Sequence, residues 1–226
     1  MRDTVCVCPP AVVGRNRELT AGRGLPRLAV TPATRPPLAV VGGGESAGEC
    51  LAEILRWPGD IMAINGAYGW LVDHGRVPDL AIAADPQPVM AAIYACPQPG
   101  TRWYIASFCD PALFDRLAGA DVVVFEASSG DADAPEDVPG GPSAMTRAPM
   151  LAVILGYRDI TLFGADCCYR GSGSHVYGGT IPAGAFDHEA GGRLWRTDWP
   201  LFLQAEALSV MIPMMPPAVT LTLRGD

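Results

Sequence analysis

The stretch from Leu38 to Pro86 constrains the fold more than any other, because it repeats one unit three times: a short apolar run, a polar turn and a helix-forming segment. Leu38–Val41 leads directly into Gly42, Gly43 and Gly44, and then into a helix-like segment opening at Ser46, with Leu51, Ile54 and Leu55 of Ala47–Leu55 on one face. Ile61–Ile64 leads into Asn65-Gly66-Ala67, and Leu80–Ala84 into Asp85-Pro86. The same rhythm continues through strand-like runs at Trp103–Ala106, Val122–Glu126 and Ile160–Phe163. Strands alternating with helices assemble as parallel pairs joined by right-handed crossovers. The expected fold is therefore α/β: a Rossmann-like, doubly wound, mostly parallel sheet of about six strands with helices on both faces.

Helix signals mark the remaining segments. Asp110 caps and Pro111 opens a helix through Leu117, and Ser143 starts one that stops at Gly156. Trp199–Met215 reads as a helix halted by Pro216 and Pro217, with Val219–Leu223 as a further strand. Two irregular segments interrupt the pattern, the acidic Gly/Pro-rich Ser128–Pro142 and the polar, glycine-studded Arg170–Gly192. Both follow strands at the carboxyl end of the sheet, where open α/β folds gather ligands, and both are expected to act as lids. The first 37 residues hold six arginines and six prolines, which interrupt regular hydrogen bonding. Residues 1–37 thus read as an N-terminal surface extension, with an edge strand at Thr4–Val7 and a short helix at Asn16–Arg23, and residues 38–226 as the Rossmann domain.

Composition narrows the function. A hydrophobic fraction of 49% over 226 residues supports one continuous core. A formal charge of −8 argues against a nucleic-acid or anionic-membrane surface, either of which needs a basic field. No apolar run reaches the ~18 residues of a membrane span, and the start lacks a secretory apolar core. The arginine-rich start shares a transit peptide's composition, but no serine precedes Ser46. Seven cysteines, an odd number without paired C-x-x-C spacing, fit a reducing cytoplasm rather than a disulfide framework. Asp166, Cys167, Cys168 and His175, with Asp187, His188 and Glu189, offer ligand types, but their spacings match no zinc pattern.

The polar residues that end strands point to phosphate chemistry. Three glycines allow close backbone approach, and the helix start behind them offers unpaired N–H groups at the positive end of its dipole. Gly42, Gly43, Gly44 and Ser46 are therefore candidate phosphate contacts. Asn65 occupies the position where a dinucleotide fold needs an acidic residue for the ribose, so neither NAD nor a flavin is expected. All 16 basic residues are arginine, which excludes a Walker-type loop. Asn65, Gly66, Asp79 and Gly164 on the same rim, with Ser143, complete the expected nucleotide-binding set. Asp85 and Asp166 end strands and could hold Mg²⁺ against phosphates or act as a base. His175, set among glycines and serines, is the general acid/base candidate.

Taken in order, Gly42-Gly43-Gly44-Glu45-Ser46, Asn65-Gly66-Ala67, Gly75-Arg76-Val77-Pro78-Asp79, Ala84-Asp85-Pro86, Gly141-Pro142-Ser143 and Phe163–Tyr169 ending in Ser174-His175 resemble the MptE-like Rossmann family. That family is named for an archaeal 6-hydroxymethylpterin diphosphokinase and includes the central domain of motility-associated flagellin glycosylation factors. The resemblance covers roughly Leu38 to His175. It implies a nucleotide-dependent transferase that passes a diphosphate or a sugar to a hydroxyl acceptor. A similar arrangement of glycine-serine loop, strand-end asparagine and late-sheet histidine in sialyltransferase-like enzymes implies a CMP-sugar donor and a glycan acceptor, with His175 deprotonating the acceptor hydroxyl. A non-catalytic nucleotide- or sugar-binding module is the remaining reading. Where family members usually show Gly-Pro-Ser, this chain has Gly44-Glu45-Ser46. A carboxylate there repels a phosphate unless it points away or meets a metal.

Overall fold

The computed structural model describes residues 8–31, 34–94, 96–127, 137–171 and 173–225. Helix α1 (Pro10–Ala21) comes first, followed by β1 (Leu38–Val41), α2 (Ser46–Glu49), α3 (Leu51–Leu55), β2 (Asp60–Ile64), α4 (Ala67–Asp73), β3 (Leu80–Ala83), α5 (Met90–Ile93), β4 (Arg102–Ala106), α6 (Pro111–Arg116) and β5 (Asp121–Phe125). Then come α7 (Ala144–Ile154), β6 (Asp159–Phe163), the strands β7 (Phe186–Ala190) and β8 (Arg193–Thr197), α8 (Trp199–Met211), a 3-10 turn at Ile212–Met214 and β9 (Thr220–Arg224). Seven strands form one sheet in the order β5-β4-β3-β2-β1-β6-β9, and every neighbouring pair is parallel. The fold is a doubly wound α/β sheet.

Chain order and sheet order diverge at one place. From β1 the sheet grows in one direction through β5, and the chain then crosses back to lay β6 and β9 on the other side of β1. Such a reversal splays the loops of the two central strands apart and opens a crevice at their carboxyl ends. Register makes this crevice compact: Val41 lies opposite Ala63 on one side and Phe163 on the other. The loops that open at Gly42, Asn65 and Gly164 therefore leave the sheet at the same level.

The central strands are buried along their whole length, which explains their continuous apolar sequence. Burying each valine or leucine of this kind contributes about 1.5–3 kcal/mol. On one flank Tyr68, Tyr94 and Trp103 form a ring cluster with centroids 4.5–5.9 Å apart. Helix α6 starts as its sequence requires, Asp110 accepting from the Ala112 N–H with Pro111 at the first helical position.

The N-terminal segment is tied into this framework. The expected Asn16–Arg23 helix runs over Pro10–Ala21 instead, because Pro10 at its first turn presets the helical backbone angle and lacks an N–H that would be orphaned there. Asn16 is buried, and its Nδ2 donates to the Phe108 carbonyl at 3.0 Å and the Pro86 carbonyl at 3.4 Å. Leu28 and Val124 exchange edge hydrogen bonds with this segment and β5, the Leu28 N–H donating to the Val124 carbonyl and the Val124 N–H to the Pro26 carbonyl, both at 2.8 Å. The strand expected at Thr4–Val7 and most of the loop at Ser128–Pro142 lie outside the described residues.

One element was not anticipated. At the end of the polar insertion and just beyond it, β7 and β8 form an antiparallel hairpin, Phe186 opposite Thr197 and Ala190 opposite Arg193. Its two-residue turn is Gly191-Gly192, with φ of 60° and 73°, the left-handed angles that a turn matching strand twist demands. The Gly-Gly pair between two five-residue runs was the available signal.

Candidate active site at the switch point

The loop after β1 is held against the loop after β6. The Gly42 N–H donates to the Phe163 carbonyl at 2.8 Å and the Gly44 N–H to the Gly164 carbonyl at 3.0 Å. Among the described residues, the peptide N–H groups of Gly43 and Glu45 meet no acceptor. Two backbone donors are thus left beside the crevice.

The N–H at the start of α2 is already engaged. Asp166 Oδ2 accepts the Ser46 N–H at 2.9 Å, and Oδ1 accepts the Ser46 hydroxyl. The side chain of Ser46 is fully buried in this contact. An internal carboxylate therefore sits where the sequence placed a ligand phosphate, and both of its oxygens are spoken for. The structure brings Ser46 and Asp166 together with each other, leaving Gly43 and Glu45 as the loop's open donors.

His175 and Tyr177 lie over the glycines. The Val176 N–H donates to the Gly43 carbonyl at 2.8 Å, which sets the loop down on the sheet's rim. The two rings stack with centroids 4.8 Å apart and 17° between planes. A Cβ on Gly43 would lie 2.8 Å from both rings, and one on Gly66 would lie 2.6 Å from the Tyr177 ring. Glycine is thus required at both positions for this approach. His175 is exposed on one side, but the face against Tyr177 is desolvated, and burial lowers its pKa below the ordinary imidazole value; the carboxylate of Asp198 opposes this. This shift favours the neutral imidazole, the form a general base needs. Burial pushes the Tyr177 phenol up to about 12. Tyr177 escaped the sequence reading, since nothing local distinguishes it; only the path of the loop brings it over two glycines from different strands.

Asn65 ends β2 with φ of 49°, a left-handed angle that asparagine tolerates better than most residues. Its Oδ1 is buried with no partner among the described residues. Next to it, Gly66 begins α4 beneath Tyr177. Ser143 caps α7, accepting the Thr146 N–H at 3.3 Å in a capping box, and Met145 of that helix packs against Gly42. The start of α7 therefore also borders the crevice.

The two aspartates do not converge. Asp85 follows β3, which is separated from β6 by β2 and β1, about 14 Å at the usual strand spacing. A Mg²⁺ ion holds its ligands at about 2.1 Å, so two carboxylates on strands this far apart do not share one, and Asp166 already accepts one hydrogen bond from Ser46 on each oxygen. This pair does not fit a Mg²⁺ site. Among the described residues no three His, Cys, Asp or Glu side chains group to hold a metal. Asp85 accepts the Gln87 N–H at 2.9 Å, yet burial still raises its pKa.

Asp79 lies elsewhere. It precedes the first residue of β3 and so stands at the amino ends of the strands, opposite the crevice. There its Oδ2 accepts the Ile61 N–H at 2.9 Å and pairs with Arg76 at 3.4 Å, lining a cavity of about 220 Å³ with Asp60, Arg102 and Asp121. Expecting Asp79 on the ligand rim was an error of direction, because in a parallel sheet residues that open strands and residues that close them face opposite ends.

A doubly wound α/β domain with an open crevice at its switch point defines the class. Residues 24–172 match the family described as 6-hydroxymethylpterin diphosphokinase MptE-like, and the chain belongs to that family. No curated protein matches its sequence. Among solved structures it is similar to a MAf glycosyltransferase from Magnetospirillum magneticum AMB-1, with 17% identity and a TM-score of 0.72. That alignment covers 95% of this chain and 36% of the other, so the chain spans about a third of that protein's length. No helix among the described residues is long and apolar enough to cross a membrane.

Proposed function

We propose that the chain is a nucleotide-dependent transferase whose donor lies in the crevice between β1 and β6. The observation that carries this reading is that a partly desolvated His175 lies over Gly43, in a loop whose Gly43 and Glu45 N–H groups meet no backbone acceptor. Backbone donors suit phosphate oxygens in a chain without lysine. The unpartnered Oδ1 of Asn65 supplies an acceptor for an amino or hydroxyl group of the nucleoside. The family and the similarity to a glycosyltransferase favour transfer of a sugar or a diphosphate.

In this mechanism His175 takes the proton of an acceptor hydroxyl. The resulting oxygen attacks the donor's anomeric carbon, or its phosphorus in the diphosphate version, and the nucleotide leaves carrying the bond's electron pair. Ser174 Oγ lies 2.9 Å from His175 Nδ1 and orients the ring, leaving Nε2 for the acceptor. Asp166 serves by holding Ser46, and thereby the start of α2, rather than by touching the donor.

Calorimetric titration with CMP, a CMP-sugar, ATP and GTP, each with and without Mg²⁺, tests the proposal. Heat or thermal stabilisation is expected with at least one nucleotide, and a flat response to all of them would sink it. Binding without turnover, unaltered by His175→Ala, would reduce the protein to a binding module.

A further inference from the structure

Glu45 presents a puzzle that the geometry resolves. A carboxylate between Gly44 and Ser46 should repel the donor's phosphates, yet it is directed at the insertion after β6. Glu45 Oε2 accepts the Arg170 N–H at 3.0 Å. A Cβ on Gly171 would lie 2.9 Å from Oε1, and one on Gly173 would lie 3.6 Å from it, so the carboxylate lies flat along the backbone that leads to His175. One turn further along α2, Glu49 pairs with the Arg170 guanidinium at 3.1 Å. With the Val176 N–H on the Gly43 carbonyl at 2.8 Å, three ties join the loop after β1 to the segment carrying His175.

We infer that Glu45 is a positioning residue: its carboxylate clamps the Arg170 peptide and so registers His175 and Tyr177 over the glycine loop, rather than facing the donor. The role given to His175 rests on the transferase reading, but the clamp itself does not. Three consequences follow from its chemistry. The negative charge is turned out of the crevice and lies beside Arg170, so it does not oppose a phosphate at the Gly43 and Glu45 N–H groups. The tie uses an acceptor oxygen, so a neutral amide of the same length can replace it. A residue without a Cβ at 171 lets the carboxylate lie this close to the chain, whereas a Cβ at 173 would meet it only at ordinary contact distance.

The test is amide hydrogen exchange on the free protein, compared among the wild type, Glu45→Ala and Glu45→Gln, with nucleotide titrations alongside. In Glu45→Ala the Arg170 and Val176 amides should exchange on the order of tenfold faster while amides of β1 and β6 keep their rates. Glu45→Gln should restore Arg170 protection to within about threefold of the wild type and leave nucleotide affinity within about twofold. Unchanged exchange at Arg170 in Glu45→Ala would overturn the clamp. So would Glu45→Gln binding nucleotide about tenfold tighter with Arg170 protection intact, because the charge would then face the phosphates. If the wild type binds no nucleotide at all, the transferase reading fails, while the exchange rates still decide the clamp.

Discussion

Replacing Gly66 with alanine tests the placement of Tyr177 without invoking any substrate. Gly66 has φ of −63° and ψ of −18°, angles that alanine adopts freely, so the backbone bears no strain. The new methyl would lie 2.6 Å from the Tyr177 ring, whereas carbon atoms rest at about 3.5–4.0 Å, so the ring must retreat by about 1 Å. Alanine in place of glycine stabilises by about 0.4–1 kcal/mol through the unfolded state. Disturbing the stacked His175–Tyr177 pair costs about 0.5–1.5 kcal/mol, toward the lower end here because Tyr177 is 41% exposed. The single variant should therefore be close to neutral. In a Tyr177→Ala background nothing opposes the methyl, and Gly66→Ala should stabilise by the full ~0.4–1 kcal/mol. Urea midpoints of the four proteins, at constant m, give the coupling energy directly. Equal shifts in both backgrounds would refute the argument, since the ring could not then lie over Gly66. NMR titration adds a second readout: with its stacked face opened, His175 should titrate at higher pH than in the wild type.

Three further outcomes are expected. Ser46→Ala strands Asp166 Oδ1 without its buried hydroxyl donor and should cost about 1–3 kcal/mol in chemical denaturation. Asp85 has a folded pKa raised by burial, so its ionisation opposes folding once the pH climbs above the ordinary carboxylate value; Asp85→Asn should raise the melting temperature near pH 7, and the gain should vanish below about pH 3.8. His175→Ala should lower turnover by roughly 10²–10⁴-fold with nucleotide affinity little changed. The lowered His175 pKa also carries a pH signature. The unfolded chain takes up this proton before the folded chain does, so stability falls as the pH drops below the ordinary imidazole value, and that part of the fall should be missing in His175→Ala.

The linear sequence determined the sheet. Each core strand announced itself as a short, mostly apolar run ended by a polar turn, since a strand covered on both faces favours apolar side chains. Leu38–Val41 was legible to the residue, and the other core strands to within one. Asp110 and Ser143 were legible as caps because capping is a local competition for backbone N–H groups. The Gly191-Gly192 turn is equally local, but the polar sequence around it reads as loop.

The site depended on what no local pattern encodes. Which strand lies beside β1 is set by the crossover that places β6 there, and only that adjacency brings Asp166 onto Ser46, 120 residues away. Residues that end strands looked equivalent along the chain, yet strand order separates Asp85 from Asp166, and chain direction sends Asp79 to the opposite end. Glu45 illustrates the reason most clearly. Its sequence neighbours fix where its Cα lies, but the direction of its carboxylate is decided by the Arg170 peptide, which reaches it from across the sheet. Short-range order follows from steric and hydrogen-bonding preferences within a few residues, whereas a site is assembled from contacts whose partners are chosen by the fold.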